Sequence, residues 1–313
     1  MKNPTARPSI RSRKTLIAVD FRRNKLIYLM VVPMVVYLLV FCYYPMYGAV
    51  IAFKTYVPAR GILGSPWVGL KHFKDFFGSF YFGRLIKNTF LISFWGIIFG
   101  FPAPILLALM LNEIRGRAFK KITQTVSYLP YFVSLIVICG LIRDFCSESG
   151  LIGQIAVQMG GVPGSLLSRP ENFYAIYTAS GIWQGIGWGS IIYLAAIAGI
   201  DMELYDAAII DGAGRFRQIL HITIPCILPT VIILFLLNIG NILNVGFEKI
   251  ILLYSPAIYS TADVISTFTY RRGLIENNFS YSTAVGLFNS AINFVFLVAA
   301  NTVSRRVSET SLW

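Results

Sequence analysis

The stretch DAAIIDGAGRFRQILHITIP, from Asp206 to Pro225, carries four charged side chains between two long apolar runs. Asp201, just before it, can cap a helix that is predicted over MELYDAAIID. Gly212 and Gly214 are expected to end that helix, and RFRQILHI can then form a second short helix. Because the fixed φ of proline suits a first helical turn, Pro225 is expected to open the next long helix. The sequence thus predicts an ordered polar hairpin where a short loop would be enough to join the two runs.

The apolar runs on either side of this hairpin belong to a set of six. Each is about 20 residues long, which suffices for a helix to cross the hydrocarbon layer of a membrane. Helices are the expected form because backbone groups cannot remain unpaired in lipid. We therefore predict an all-α, polytopic membrane protein with six transmembrane helices over 26–303, flanked by tails at 1–25 and 304–313. The runs are approximately Leu26–Tyr47, Asn88–Leu111, Thr125–Phe145, Tyr174–Gly199, Pro225–Val245 and Ala284–Val303.

The composition supports a membrane protein and argues against several other classes. Of 313 residues, 56% are hydrophobic and 13% are charged, whereas about a quarter of the residues in a soluble domain are charged. The four cysteines form no CxxC or Cys/His cluster, so neither a disulfide framework nor a metal site is predicted. A net charge of +13 could suit nucleic acid, but basic residues in membrane proteins more often set topology. No nucleic-acid partner is therefore expected.

Lysine and arginine gather in the N-terminal tail, in the loop NEIRGRAFKKITQ, after the fourth run and near the C-terminus. With six spans all four segments fall on the same side of the membrane, which should be the cytoplasm. Both termini and the polar loop 201–225, between the fourth and fifth spans, are therefore expected to be cytoplasmic. The opposite loops, roughly 48–87, 146–173 and 246–283, are rich in glycine, proline and aromatic residues. They could receive a partner protein, or their aromatic side chains could anchor them at the membrane interface.

The polar loop also carries a spaced motif. Asp206-Ala207-Ala208 is followed by three residues, Gly212, nine more residues, and Ile222-Thr223-Ile224-Pro225. This pattern resembles the signature loop of the membrane subunits of binding-protein-dependent ABC importers, which differs from it by Glu in place of Asp and Leu in place of Ile. The resemblance covers nearly the whole chain, including YPMYGAVIAF and IWQGIGWGSIIYLAAIAGID. It is to the carbohydrate-uptake branch, and the chain is similar to oligosaccharide/alginate-type importer membrane subunits.

The resemblance implies a permease subunit of an ATP-driven importer, surrounded by lipid in the inner (cytoplasmic) membrane of a bacterial cell. It implies a carbohydrate substrate, of the oligosaccharide type, that an extracytoplasmic solute-binding protein delivers. The implied partners are a second permease subunit, giving a heterodimer, and two ATP-binding cassette subunits that bind ATP and magnesium. The chain itself has no G-x-x-x-x-G-K-[ST] phosphate loop and no catalytic constellation, so we expect a non-catalytic subunit without cofactors.

Two other functions are compatible with parts of the sequence. The loop motif would also fit an importer permease for a non-sugar solute, such as a peptide or an amino acid. An ion-coupled secondary transporter would use acidic residues inside its spans. None of the six runs has an Asp or Glu near its centre, which argues against this second alternative.

The motif loop is expected, from the resemblance, to contain a coupling helix that sits in a groove of the cytoplasmic ATPase. Four of its residues share one helical face at i, i+3, i+4 and i+7 from Leu204. Two of these are alanines, whose small side chains let another surface approach closely. The alternative is an ordinary amphipathic linker. The residues predicted to contact the ATPase are Glu203, Leu204, Tyr205, Asp206, Ala207, Ala208, Asp211, Gly212, Ala213, Phe216 and Pro225.

Polar and aromatic residues within the runs are candidates for the substrate pathway. Aromatic faces can cover the apolar CH surfaces of a sugar, and amides can pair with its hydroxyl groups. Glycines beside the tryptophans could serve helix packing instead, and the asparagines, which fall on helical faces, could bond to a second permease. Just beyond the fifth run, Glu248 and Lys249 could pair at the outer mouth. The pathway candidates are Trp183, Gln184, Trp188, Asn241, Asn244, Asn289 and Asn293.

Overall fold

Residues 23–307 are described by a computed structural model, and they are almost entirely helical. Within this range β pairing is limited to an isolated bridge between Lys54 and Trp67, so the all-α class is confirmed. The predicted tails fall largely outside the described residues, at 1–22 and 308–313. In chain order the main helices are α1 Lys25–Phe53, α2 Lys71–Phe77, α3 Phe82–Glu113, α4 Arg117–Phe132, α5 Leu135–Phe145, α6 Leu151–Gln158, α7 Pro170–Ala198, α8 Met202–Ile210, α9 Arg215–Ile239, α10 Phe247–Leu253, α11 Ile265–Tyr270 and α12 Phe279–Arg306.

Five helices of the described chain are long and apolar enough to cross a membrane, namely α1, α3, α7, α9 and α12. They correspond to the first, second, fourth, fifth and sixth predicted runs. The third run, Thr125–Phe145, is not one straight helix, because α4 and α5 meet at an angle of 99°. Pro130 supplies no backbone donor to the helical ladder, and Val133 is extended, so the helix breaks there. By length and composition a sixth span exists only if this bent pair is counted as one.

Three of the long helices contain a wide π turn that ends two residues before a proline. A proline inside a helix has no N–H to donate, and its ring clashes with the carbonyl four residues earlier. In all three helices that carbonyl lies inside the π turn, where the wider backbone moves it aside. The turn therefore lets the helix continue through the proline. The turns are Leu38–Tyr43 before Pro45, Gly96–Gly100 before Pro102 and Ile219–Thr223 before Pro225.

This arrangement corrects the expectation for Pro225. The predicted second short helix, which begins at Arg215, does not end before the proline but continues into the membrane helix as α9. Pro225 consequently lies inside a continuous helix and does not open it. The second half of the polar hairpin and the fifth run are therefore parts of one element.

Helix α7 lies at the centre of the bundle, where it contacts α3, α4 and α9. A Cβ at Gly187 would collide with the backbone of Ser127 in α4. A Cβ at Gly189 would lie only 3.0 Å from the Pro104 ring of α3. Helix packing therefore explains these two glycines. In contrast, α1 contacts α12 through Tyr47–Phe53, and its preceding apolar side chains are exposed.

Candidate functional site

The first candidate site is the hairpin formed by α8 and the start of α9. Asp201 caps α8, because its Oδ1 accepts a hydrogen bond from the backbone N–H of Glu203 at 3.0 Å. Glu203 also places negative charge in the first turn, at the positive end of the helix. A capped helix is thus present where the sequence predicted one, and its last residue is Ile210.

Gly212 reverses the chain after α8. Its φ of +72° lies in the left-handed region, which glycine adopts without the steric cost that a Cβ brings. The N–H of Ala213 donates to Ala208 O at 2.8 Å, and the N–H of Gly212 donates to Ile209 O at 3.0 Å. This pair of bonds is the Schellman arrangement, which satisfies carbonyl groups at the end of a helix. The glycine of the motif is therefore required by the backbone.

Two side-chain contacts fix the hairpin to the long helices. The Tyr205 hydroxyl is hydrogen-bonded at 2.9 Å to the hydroxyl of Thr223, which is buried in the π turn of α9. Arg215 forms an ion pair with Glu113 at the end of α3, with 3.1 Å between Nη1 and Oε2. Tyr205 therefore lies on the side of α8 that faces the rest of the chain. A displacement of the hairpin would act on both α3 and α9.

The outer side of the hairpin is exposed and apolar. Ile210 and Phe216 expose 86% and 78% of their areas, and Met202 and Ile209 are exposed as well. Apolar side chains grouped on a polar loop indicate a surface that another protein covers. The sequence prediction included Phe216 but missed the other three, although all three are large apolar residues in the predicted α8. Of the predicted contact residues, Glu203, Leu204, Asp206, Ala207, Asp211, Gly212, Phe216 and Pro225 are exposed, whereas Tyr205, Ala208 and Ala213 are half-buried.

The second candidate site is a cavity of about 420 Å³ between α3, α7 and α9. The π turn of α3, Gly189 of α7 and the end of α9 form parts of its wall. None of the described residues that line it is charged. Such a lining offers hydrogen-bond donors and acceptors without fixed charge, which suits ligands that carry hydroxyl groups. Its polar side chains are Ser93, Tyr177, Tyr193, Asn238, Asn241 and Asn244.

Three of the predicted asparagines meet beyond the end of α9, where Asn241 and Asn244 are not on the helical face expected for them and Asn289 comes from α12. Helix α9 ends at Ile239, so Asn241 and Asn244 lie in the turn that follows. The helix stops because Asn241 Nδ2 donates to Leu237 O at 3.1 Å, a carbonyl that the backbone N–H of residue 241 would otherwise use. Asn244 Nδ2 donates to Asn241 Oδ1 at 3.3 Å, and Asn289 Nδ2 of α12 donates to Asn244 Oδ1 at 2.9 Å. These amides form a chain from the cavity to α12.

Asn293 is buried and bonds to the backbone of this chain. It is 6% exposed, and its Oδ1 accepts a hydrogen bond from the backbone N–H of Leu243 at 2.9 Å. It thus holds the turn after α9 against α12 and does not line the cavity. Asn289 borders a separate groove beside Phe247 and Tyr270. Bonds that the sequence could also have assigned to a second permease are therefore made within this chain.

The three residues predicted on α7 lie away from the cavity. Trp188 stacks on Tyr131 of α4, with ring centroids 4.7 Å apart and planes inclined by 5°. Trp183 borders an apolar groove towards α5, and Gln184 is half-buried. The cavity instead uses two tyrosines of α7 that the sequence prediction missed, because isolated tyrosines in an apolar run give no distinct signal.

A buried carboxylate between α3 and α11 was also missed. Asp263 is fully buried and pairs with Arg271 at 2.7 Å and with Arg84 at 3.6 Å. Its Oδ1 accepts a further hydrogen bond from the Thr267 hydroxyl at 3.0 Å. Because loss of one partner from a buried ion pair typically costs about 3–5 kcal/mol, this cluster fixes the segment before α11 onto the start of α3. The available signal was a lone acid within the apolar stretch TADVIST.

Lys249 does not pair with Glu248, and that expectation is wrong. Adjacent residues on a helix do not face each other, and here Glu248 is exposed while Lys249 is only 7% exposed. The Lys249 Nζ donates to Tyr177 O at 3.1 Å and lies 4.9 Å from the centre of the Tyr177 ring. Burial lowers the pKa of Lys249 to about 8. The lysine thus contacts a residue whose side chain lines the cavity.

Residues 100–309 match the family model described as "Binding-protein-dependent transport system inner membrane component". The chain is 41% identical to Protein LplB of Bacillus subtilis (strain 168) over 293 residues, which are 93% of this chain and 92% of LplB. It is 42% identical over 302 residues to the polygalacturonan/rhamnogalacturonan transport system permease protein YteP of the same organism, covering 96% of this chain and 94% of YteP.

Two solved structures are similar over almost the full length. One is a bacterial ABC transporter involved in the import of the acidic polysaccharide alginate, with 43% identity, a TM-score of 0.86, and coverage of 93% of this chain and 99% of that chain. The other is a bacterial alginate ABC transporter in complex with an alginate pentasaccharide-bound periplasmic protein. Its identity is 43% and its TM-score 0.86, with coverage of 94% and 98%. The helical arrangement described above is therefore shared with these transporter chains.

Proposed function

The chain belongs to the family of binding-protein-dependent transport system inner membrane components, and we propose that it is the permease subunit of an ATP-driven importer of an oligosaccharide. YteP is named for polygalacturonan and rhamnogalacturonan, and the similar structures are of an alginate importer. The observation that carries the proposal is the 42% identity with YteP over 96% of this chain. A carbohydrate also suits the hydroxyl and amide lining of the cavity.

The geometry supports this function because α9 joins the two candidate sites. It begins in the hairpin at Arg215 and ends beside the cavity at Ile239, a length of roughly 37 Å for an α-helix. Its π turn keeps it continuous through Pro225. A partner that moves the exposed apolar side of the hairpin would therefore also move the amide-lined wall of the cavity.

On this proposal α8 is a cytoplasmic coupling helix, and the hairpin docks on the ATPase. Two ATP-binding cassette subunits bind ATP and magnesium, and this chain contributes no catalytic residue. Nucleotide can shift the balance between two transporter states only if its subunits contact the permease differently in each state. The exposed side chains of Ile210 and Phe216 provide a surface for such a contact.

The remaining partners follow from the same proposal. A second permease subunit completes the translocation path as a heterodimer, and an extracytoplasmic solute-binding protein delivers the sugar. One of the similar structures contains a periplasmic protein of that kind. The bent pair α4 and α5 then counts as the sixth span of a membrane domain over 26–303, and the tails 1–25 and 304–313 are cytoplasmic.

Uptake by reconstituted proteoliposomes tests the proposal. The complete transporter is supplied with its cognate solute-binding protein, and the imported solutes are measured with and without internal ATP. We expect ATP-dependent uptake of oligosaccharides and an ATPase activity that rises when the loaded binding protein is added. Import of a peptide or an amino acid without any oligosaccharide would contradict the substrate, and an Ile210→Cys variant that never crosslinks to the ATPase would contradict the docking assignment.

A further inference from the structure

Lys249 is a buried cation without a carboxylate partner. Within residues 23–307 no ion pair includes it, whereas the buried Asp263 pairs with two arginines. An ammonium group can donate three hydrogen bonds, and the described residues provide one acceptor, Tyr177 O at 3.1 Å from Nζ. The face of the Tyr177 ring adds a cation–π contact at 4.9 Å. The positive charge itself is not neutralised by these contacts.

A purely structural role does not account for this lysine. Tyr177 O lies within the continuous helix α7, where the backbone N–H of Gly181 is its regular donor. This carbonyl therefore needs no second donor from outside the helix. An apolar side chain of similar length would fill the same space without the penalty of removing a charge from water. Ionisable groups retained against such a penalty are typical of functional sites.

Lys249 lies next to two cavities that could form part of the substrate path. Tyr177 lines the cavity of about 420 Å³ between α3, α7 and α9 and also a smaller cavity of about 240 Å³. Gly181 lines the smaller cavity, and a Cβ on this glycine would lie 3.4 Å from the Lys249 Nζ. The two cavities also share residues of α3, so they are adjacent. Only Tyr177 and Gly181, which has no side chain, thus separate the ammonium group from the two cavities.

We propose that Lys249 is the counter-charge for a carboxylate of the transported sugar, so that the substrates are oligosaccharides with uronate residues. This inference rests on the proposed function and narrows its substrate class. The flexible lysine stem can bring the ammonium group to a carboxylate in either cavity, while amides and hydroxyls of the wall bind the sugar hydroxyl groups. Because the buried charge gains its partner only when an acidic sugar arrives, acidic sugars are favoured over neutral sugars of the same shape.

Matched pairs of sugars test the inference. The probes are di- to pentasaccharides that contain uronate residues, and the same sugars after reduction of each carboxyl group to a primary alcohol. The reconstituted transporter is compared with Lys249→Met, which removes the charge at similar length, and with Lys249→Arg, which keeps the charge. We expect import of the acidic probes to fall at least about tenfold in K249M, equivalent to about 1.4 kcal/mol, and to be largely retained in K249R.

The solute-binding protein can itself select between acidic and reduced sugars. The decisive comparison is therefore between wild type and K249M, both supplied with the same loaded binding protein. Binding-protein-stimulated ATPase activity in K249M shows that the variant folds and assembles. Equal import of acidic probes by wild type and K249M would overturn the inference and leave the proposed function intact. The same holds if wild type imports the reduced probes as fast as the acidic ones. A wild type that imports no carbohydrate would refute the proposed function and the inference together.

The pH dependence gives an independent readout of the lysine charge. Lys249 interacts with Tyr177 of α7 and with Cys139 of α5. On the neighbouring helices, Arg143 lies one turn beyond Cys139, and Tyr270 of α11 lies beside Phe247 of α10. None of them is a carboxylate. Since burial lowers the pKa of Lys249 to about 8, import of acidic probes should be full at neutral pH and decline as the pH rises above this value. K249R should show no such decline because arginine stays charged, and an identical decline in K249R would contradict the role of the lysine charge.

Discussion

The two ends of α9 are held in place by different kinds of contact. At the hairpin end, Asp201 and Gly212 bond to backbone groups of residues close in the chain. At the cavity end, Asn289 and Asn293 bond to residues 45 and 50 positions away. Bonds within one or two turns therefore shape the hairpin, and one distant ion pair, between Arg215 and Glu113, ties it to α3. The cavity end, in contrast, is positioned by the packing of α12 against α9. The comparison implies that hairpin variants should impair coupling to ATP, and that cavity variants should impair passage of the substrate.

Gly212→Pro should have the largest effect. Proline cannot adopt the φ of +72° found here, so the hairpin cannot close in its present form. We expect uptake to fall by about 100-fold, consistent with a strain of about 3 kcal/mol at a backbone site, and ATPase activity to lose its response to the binding protein. Proteoliposome uptake and ATPase assays measure both quantities. Gly214→Ala is the matched control, since Gly214 has a φ of −67° and open space around it. Wild-type uptake by G212P would refute the coupling role.

Ile210→Asp should weaken binding of the ATPase without affecting the fold. Ile210 is 86% exposed, so the change disturbs no packing within the chain. Loss of a large apolar contact at the centre of an interface typically costs about 2 kcal/mol, and we expect roughly 30-fold weaker binding of the ATPase in detergent titrations. Leu63→Asp is the control, because Leu63 is 82% exposed but lies away from the hairpin, in the short helix Gly61–Gly64 before α2. Equal ATPase affinity in both variants would mean that the hairpin does not dock there.

Asn244→Ala should affect the cavity end alone. It removes the bonds to Asn241 and Asn289, each worth about 0.7 kcal/mol. We expect uptake to fall by about tenfold, while ATPase stimulation by the binding protein stays close to wild type. Asn289→Ala breaks one of the two bonds and should give a smaller decrease in the same uptake assay. A parallel loss of ATPase stimulation would contradict the separation of the two ends.

Tyr205→Phe should have the smallest effect, and it tests the link between the ends. It removes the hydroxyl that bonds to Thr223, at a cost of about 0.7 kcal/mol. The number of sugars imported per ATP hydrolysed should fall by about threefold. Because the two hydroxyls bond to each other, the double variant Tyr205→Phe/Thr223→Val should import nearly as many sugars per ATP as Tyr205→Phe alone. Fully additive losses would show that the Tyr205 bond does not carry the coupling.

Features held by local bonds could be predicted from the sequence, whereas features held by contacts between distant elements could not. The capped helix and the reversal at Gly212 could be predicted because their bonds join residues within one or two turns. The apolar runs located the long helices, but the break at Pro130 and the continuity through Pro225 depend on how the backbone accommodates each proline. The partners of Asp263 could not be predicted, since Arg84 lies in another helix.

The cavity shows the same limit. Asn241 and Asn244 were predicted for it and do line it, but on a turn that replaces the expected helical face. Lys249 contacts Tyr177 across 72 positions of sequence. Nothing near Lys249 in the sequence indicates that it is buried, whereas Glu248 beside it offered a plausible but incorrect partner. Contacts of this kind arise only when α7, α10 and α12 are packed together.

The π turn before Pro225 has a consequence for how the two ends of α9 are oriented. It holds one residue more than the α turn that it replaces, which delays the helical phase by about 100°. Side chains before Ile219 and after Thr223 that would share an azimuth at about 3.6 residues per turn therefore point in different directions. Deletion of one residue from the turn would restore the α-helical phase. It would thereby rotate the far end of α9 and move the asparagines out of the cavity wall, although no asparagine and no exposed apolar residue of the hairpin is replaced.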